Sequence, residues 1–576
     1  MSAKSRSLCV LVLVGAVASV GLTLGSCSGG VSGTSVPVLP VFGPVVPLTT
    51  TEVQLILDRA VASLDSPFLH VAVVDRTGEI LGLASTISLS VSDEDNIAIS
   101  LARTTAYFSN SQAPLSSRTV ETLGTFHFPP TFSAPFIASV VPTSSGLGGQ
   151  TGASVIAPQR TTTGIAGTPQ GPLWQINSTN RGANIASADT TPATAFNPGF
   201  AFRPSRNGNL NTIFPAAPGP SFPSPGITLL PGAVPLFKAG RLVGGVGVFI
   251  RENANSDPNV DAAEFAAIQG ATGSGAFGDE NFFFAIPPEG AITIVGILLP
   301  YVKQTTRPVG FGPGTPTPFQ TVVSGGRVDP FGFLIGPRAA RTGARGVDVV
   351  AVPSTVALTQ ADVQLIINQV IVSSDITRAQ VRLPLGSAAK VIATVVDTRG
   401  LILAHFRMED TLCDAVDVVP AKARSTVYYC RAGGPVGNDL WPGFPTGDPR
   451  GVALTTRTLG FLSQPFYPPG IEGTAPGPLF TQARFNQQLT QVDRWGDAPA
   501  DPGYQNGLTY FPGSVPLYKG GELVGALGVS GDGVEQNDLI AFEGGAGFEP
   551  PPELRIDNFT FNGVRLPYLK FPETPR

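Results

Sequence analysis

Behind Thr49 and Glu52, the apolar residues Val53, Ile56, Leu57, Ala60, Val61 and Leu64 recur at three- and four-residue intervals. That spacing predicts an amphipathic helix with one buried stripe. Thr49 and Glu52 fit a capping box, each side chain satisfying the other's backbone amide. Two β-rich runs follow, 70–75 and 79–84, around the turn Asp75-Arg76-Thr77-Gly78, and predict a hairpin. A second helix is expected near 95–108. A second hairpin is expected from Val234–Lys238 and Leu242–Phe249 across Ala239-Gly240, where glycine supplies positive φ. A third helix then covers about 261–269. The order of elements is α-β-β-α-β-β-α.

The same order returns later in the chain. Thr49–Leu57, TTTEVQLIL, reappears as Thr359–Ile367, TQADVQLII, with Asp362 in the capping position. Val73-Val74-Asp75 returns as Val395-Val396-Asp397, and Leu115-Ser116-Ser117-Arg118-Thr119 as Leu454-Thr455-Thr456-Arg457-Thr458. Phe128-Pro129-Pro130 meets Tyr467-Pro468-Pro469, Pro231–Lys238 meets Pro512–Lys519, and Leu299–Lys303 meets Leu566–Lys570. Six blocks in one order indicate a tandem duplication. The second copy then carries hairpin strands at 391–397 and 401–407, a helix near 418–430, a hairpin from Val515–Lys519 and Leu523–Ser530, and a helix near 537–545. The fold class expected is α+β: two tandem modules, each an antiparallel sheet with helices against one face, joined by Gly/Pro-rich loops. The offset between copies falls from 339 at the Pro-Pro block to 281 at the Pro-Gly block, so the first copy carries 58 extra residues between about 131 and 230. The organisation read from these patterns is a leader at 1–26, a tether at 27–47, a first module at 48–303, a linker at 304–357 and a second module at 358–576.

Composition narrows the functional classes. Gly 68 and Pro 55 are high and charged residues are only 13%, yet 42% hydrophobic residues suffice for real cores. A net charge of -5 excludes nucleic-acid binding through bulk positive charge. Lys4 and Arg6 precede the apolar run Leu8–Leu24, which reads as a signal-peptide core. The run ends in Leu24-Gly25-Ser26-Cys27, which resembles a bacterial lipobox. That resemblance implies an exported protein, at the outer membrane, periplasm or cell surface, held to the membrane only by lipidation of Cys27. An ordinary secretory signal is the alternative.

The second copy resembles the GlcG/HbpS-like family. The resemblance is carried by Val395-Val396-Asp397 with Gly400, by Arg407-Met408-Glu409-Asp410, by Ala421-Lys422-Ala423, and by Gly528-Val529-Ser530-Gly531 with Gln536 and Asp538. It implies a small α+β module that binds a ligand, several family members binding haem, and that forms oligomers; pairing of the two copies as an internal dimer is expected. The first copy lacks the Arg-Met-acid step, has Leu101 at the lysine position, and replaces the Gly-Val-Ser-Gly turn by Gly247-Val248-Phe249-Ile250.

Haem iron takes His, Met, Cys or Tyr. His405 is therefore the first candidate ligand, on a strand face shared with Leu401, Leu403 and Arg407, with Met408, Tyr428 and Tyr429 behind it. A half-buried strand histidine is the competing reading. Arg407 and Lys422 are candidate anchors for a ligand carboxylate; an internal ion pair involving Glu409 and Asp410 competes equally. Ser530 is a candidate ligand contact, since the turn lacks the last glycine of a nucleophile elbow and no histidine partner is evident. Asp532, Glu535 and Asp538 read as helix capping rather than as a calcium loop. His70 and His127 have no counterparts in the second copy. Cys413 and Cys430 flank one helix, which argues against a disulfide between them. The expected function is an exported ligand-binding protein, with haem the leading ligand; a structural or assembly protein of the cell envelope is the alternative, and an enzyme is disfavoured for want of a catalytic set.

Overall fold

The computed structural model describes residues 43–87, 93–125, 127–129, 165–173, 176, 227–251, 258–273, 280–316, 320–322, 347–349, 357–432, 450–479 and 511–576, apart from single positions within these spans. The leader, Cys27, most of the tether and most of the 131–230 excursion lie outside the described residues.

The first module opens with α1 (Thr50–Ala62), the hairpin β1 (Leu69–Asp75) and β2 (Ile80–Ser85), and the helices α2 (Asp93–Phe108) and α3 (Ser117–Leu123). The hairpin β3 (Ala233–Lys238) and β4 (Arg241–Ile250), then α4 (Val260–Ala271), complete it, followed by a two-rung hairpin, β5 (Thr293–Ile294) and β6 (Ile297–Leu298). Two short strands follow, β7 (Gln320–Val322) and β8 (Val347–Val349). The second module repeats the series as α5 (Gln360–Ile376), β9 (Ile392–Asp397), β10 (Ile402–Arg407), α6 (Ala415–Cys430), α7 (Thr456–Leu462), β11 (Ser514–Lys519), β12 (Glu522–Ser530) and α8 (Val534–Gly544), with the terminal hairpin β13 (Thr560–Phe561) and β14 (Val564–Arg565).

The two large sheets have matching orders, β3-β4-β1-β2-β7 and β11-β12-β9-β10-β8, with antiparallel pairing throughout. Register matches as well: Ala72 lies opposite Gly247, and Thr394 opposite Gly528. Both predicted capping boxes form, at Thr49–Glu52 and Thr359–Asp362. In each module a hairpin lysine then pairs with the capping acid, Lys238 with Glu52 at 2.6 Å and Lys519 with Asp362 at 2.8 Å. The helices α3 and α7 were not anticipated. Each is capped by a hydroxyl, Ser116 or Thr455, and sends an arginine to a buried acid: Arg118 to Glu264 at 2.7 Å, Arg457 to Asp538 at 2.6 Å.

Two expectations are corrected. Helices cover both faces of each sheet rather than one. Val71 and Val73 join the core under α1 and α4, whereas Ala72 and Val74 join the core under α2. The near-continuous apolar runs of β1 and β9 are the signature of strands buried on both sides. The stretch expected as a linker also contributes β7 and β8, the edge strands of the two sheets.

Glycine makes the sheet–helix contact close. A Cβ on Gly528 would lie 2.5 Å from the Val419 carbonyl oxygen and 3.1 Å from the Ala423 nitrogen, both on α6. Gly247 stands in the same relation to Ala98 and Ala102 of α2. Gly528→Ala is expected to cost about 1–3 kcal/mol through overpacking, read as a lower urea midpoint; an unchanged midpoint would mean that α6 moves freely off the sheet.

The faces carrying α2 and α6 meet, and one hydrophobic cluster draws on both modules: Leu101, Phe108 and Leu115 with Val381, Leu412 and Val419. All of this lies in one compact unit, Leu39–Arg576.

Candidate functional site

The polar residues of the Arg-Met-Glu-Asp segment point mainly to the module junction. Asp410 adopts φ 61° at the end of β10 and is 5% exposed. Its carboxylate faces Arg76 of the first module at 3.0 Å and Arg382 of the second at 3.0 Å. It also accepts hydrogen bonds from the backbone amide and hydroxyl of Ser111. Burial alone would raise its pKa, but the two guanidinium groups and Ser111 outweigh it and hold the carboxyl down at about 2. Glu409 pairs with Arg241 at 3.1 Å, Asn110 donates to the Val381 carbonyl, and the Cys413 amide donates to the Tyr107 carbonyl. Each of these contacts joins the first module to the second. The acid pair of the motif is a latch between modules.

His405 sits beside the latch but inside the sheet. A β-bulge between Ile402 and Ala404 breaks the strand's alternation, so Leu403 joins the core under α5 and α8 with Phe406. His405 pairs with Thr394 on the opposite face, and its Nδ1 lies 2.8 Å from the Thr394 hydroxyl. Burial, reinforced by Arg407, pushes its pKa down to about 3, so the ring is neutral. Arg407 donates to the Thr411 carbonyl and the Cys413 sulfur. Met408 is 1% exposed, its sulfur accepting from the Val391 amide. Tyr428 packs edge-on against Tyr429 in a separate cluster with Leu454 and Leu459. Cys413, just ahead of α6, and Cys430, its last residue, are buried thiols that form no disulfide with each other. Burial pushes the Cys430 thiol up to about 12.

Lys422 and Ser530, in contrast, come together. Between the modules lies a narrow crevice of about 70 Å³ that opens to solvent. Phe108, Leu115, Leu123 and Ile176 line it from the first module, with Val381, Leu412 and Phe511 from the second. Its polar end holds Lys422, Ser530, Asp414, Asp532 and Asn537. Lys422 Nζ is 2.7 Å from the Pro512 carbonyl, 3.0 Å from the Val529 carbonyl and 3.0 Å from the Ser530 hydroxyl. Gly513, at φ 118°, lets the backbone approach so closely: a Cβ there would lie 2.4 Å from the Val529 carbonyl oxygen and 3.1 Å from Lys422 Nζ. Burial pushes the Lys422 pKa down to about 7; Asp414 and Asp538 pull it back up, and Arg457 lowers it slightly. Asp532 does not cap α8, whose N-cap Gly533 carries no side-chain cap. Its Oδ1 instead accepts the amides of Gln380 and Gly533, tying the 380–381 segment to the crevice. Asp538, likewise, holds Arg457 and the Lys570 amide rather than any ligand.

In the first module, Leu101 and Phe249 stand where the second has Lys422 and Ser530, and they are 1% and 5% exposed. The pseudo-symmetric position is thus filled with apolar side chains. Among the described residues no cluster of three His, Cys, Asp or Glu is disposed to hold a metal ion, and no helix is long and apolar enough to cross a membrane. The described lining of the crevice contains no His, Met, Cys or Tyr. It therefore does not fit haem iron through the ordinary side-chain ligands.

Residues 376–546 match the family model described as "Haem degrading protein HbpS-like". The matched span lies within the second module, and the first lies outside it. Similar solved structures include a PduOC–heme complex, 22% identical, covering 33% of this chain and 94% of that one, with a TM-score of 0.21. A Klebsiella pneumoniae protein, ORFY, is 19% identical over 34% of this chain and 94% of that one, with a TM-score of 0.21. A double mutant of Streptomyces reticuli HbpS is 17% identical over 37% of this chain and 98% of that one, with a TM-score of 0.19. No curated protein matches the chain.

Proposed function

We propose that the chain is an exported, non-catalytic binding protein that arose by duplication of one HbpS-like module and holds a small ligand in the crevice between the copies. The observation that carries this reading is the convergence of Lys422 and Ser530, from two separate motifs, on a crevice whose apolar lining both modules supply. An apolar wall with a few convergent polar groups is the usual make-up of a small-ligand site. The HbpS-like match brings haem or a related tetrapyrrole forward as the ligand. The lining is apolar like the body of such a molecule, the crevice of about 70 Å³ must widen to admit it, and its iron finds no ordinary protein ligand there. The leader and Cys27 support export and lipid anchoring, and the latch supports pairing of the modules within one chain, with further self-association left to the outer surfaces. A structural role in the envelope is the second reading, favoured by the extent of the latch.

Titration with hemin tests the ligand. A saturable shift of the Soret band is expected, weakened at least about tenfold, or about 1.4 kcal/mol, by Leu115→Trp, which fills the crevice. His405→Ala should leave it unchanged, and iron-free protoporphyrin should bind with similar affinity. Absence of a saturable shift removes haem; loss of the shift in His405→Ala relocates the site to the sheet interior.

A further inference from the structure

We propose that Lys422 captures an aldehyde or ketone ligand as a reversible imine in the crevice between the modules. The inference deepens the reading of the crevice as a ligand site and rests on it.

Three features carry it. Lys422 is the lysine among the described lining residues, and its amine ends at the polar floor of an otherwise apolar cleft. Nζ donates to the Pro512 and Val529 carbonyls, at 2.7 and 3.0 Å, and to the Ser530 hydroxyl at 3.0 Å; the hydroxyl can rotate to donate in turn, so losing one proton from Nζ leaves both carbonyls served. Desolvation against the apolar walls brings the amine to about pKa 7, so a large fraction is unprotonated and nucleophilic at neutral pH. The charged groups bearing on it are Asp414, Asp538 and Arg457, with Asp532 across the crevice.

The chemistry balances without any further reagent. The Nζ lone pair attacks the carbonyl carbon as the carbonyl π electrons move to oxygen. Ser530, which both donates and accepts, relays a proton from nitrogen to that oxygen, giving a carbinolamine. Loss of water then forms the C=N bond, and addition of water reverses the sequence and releases the ligand. Leu101 at the equivalent position leaves the first module without the corresponding amine.

Hexanal serves as the probe, being apolar and narrow. The full-length protein is incubated at pH 7 with hexanal and cyanoborohydride, which reduces the imine to a stable secondary amine, and the product is mapped by mass spectrometry. One hexyl group on Lys422 is expected, formed at least about tenfold faster than on the exposed Lys303, Lys519 or Lys570. A water-exposed ammonium offers little free lone pair at neutral pH, which is why the buried amine should lead. Ser530→Ala should slow the labelling of Lys422 without moving it, and Leu115→Trp should protect Lys422. Lys422→Arg, checked for native circular dichroism, should lose the adduct. Labelling confined to surface lysines would overturn the proposal. Hemin bound with Lys422 unlabelled would overturn capture alone; Lys422 labelled without hemin binding would uphold capture and remove the tetrapyrrole.

Discussion

Asp410→Ala is expected to destabilise the protein by about 3–5 kcal/mol, the cost of removing one partner from a buried charged cluster. The substitution leaves Arg76 and Arg382, which are 2% and 0% exposed, facing each other with their shared carboxylate gone. Ser111 loses its acceptor at the same time. Because the latch spans the modules, the loss falls on their docking, and the crevice they enclose should open with it. Urea unfolding at pH 7 measures the effect, and hemin titration of the same variant reads the crevice. The pH dependence has a definite sign. The folded carboxyl is held at about 2 against an ordinary value of 3.8. Its contribution is therefore complete above pH 4 to 5 and is lost as pH falls through about 2, a change of about 2 kcal/mol. Wild type should lose that increment between pH 5 and pH 2, and Asp410→Ala should not. Equal acid sensitivity in both would show that the cluster is not held as an ion pair.

The local parts of this architecture were legible in the sequence because their causes are local. A capping box needs only Thr49 and Glu52, three residues apart, and a hairpin only its alternation and turn. The duplicated order was legible because a repeat needs no physics to be seen. Other features were not. The three-residue edge strands β7 and β8 are too short to carry a period. The bulge at Leu403 inserts one residue into the alternation, and that single residue parts Leu403 from His405, which simple alternation puts on one face. The latch joins Asp410 to Ser111 and Arg76 across about three hundred residues, and no spacing rule reaches that far. Its two sides also differ: the first module supplies arginine and serine, the second the acid. A search for what the copies share passes over such a contact. The repeat itself carries a signal for the buried ion pairs: Arg118 and Arg457 stand at matching positions beside their capping hydroxyls and pair with Glu264 and Asp538. Lys422 and Ser530 were found through motif resemblance; that they share one crevice with Leu115 of the other module is a fact of docking.

Lys422→Met is expected to change the shape of the stability curve in alkali. An amine of ordinary pKa 10.5 in the unfolded chain and about 7 in the fold binds fewer protons when folded across that interval. Stability therefore rises with pH from about 7 toward 10, because the unfolded state must give up a proton that the folded state has already lost. The interval corresponds to on the order of 4–5 kcal/mol. Methionine keeps the length and apolar body of the side chain and removes the titration, so the difference between wild type and variant should grow steadily over this range. Taking the difference also cancels the buried tyrosines, such as Tyr467 pushed up to about 12 by desolvation, which act in the opposite direction above pH 10. A thioether cannot replace the bonds to the Pro512 and Val529 carbonyls, so the variant should be the less stable at pH 9 and approach wild type near pH 7. Parallel curves for the two proteins would show that Lys422 is an ordinary ammonium in the folded state, and the neutral amine on which carbonyl capture depends would then be lost with it.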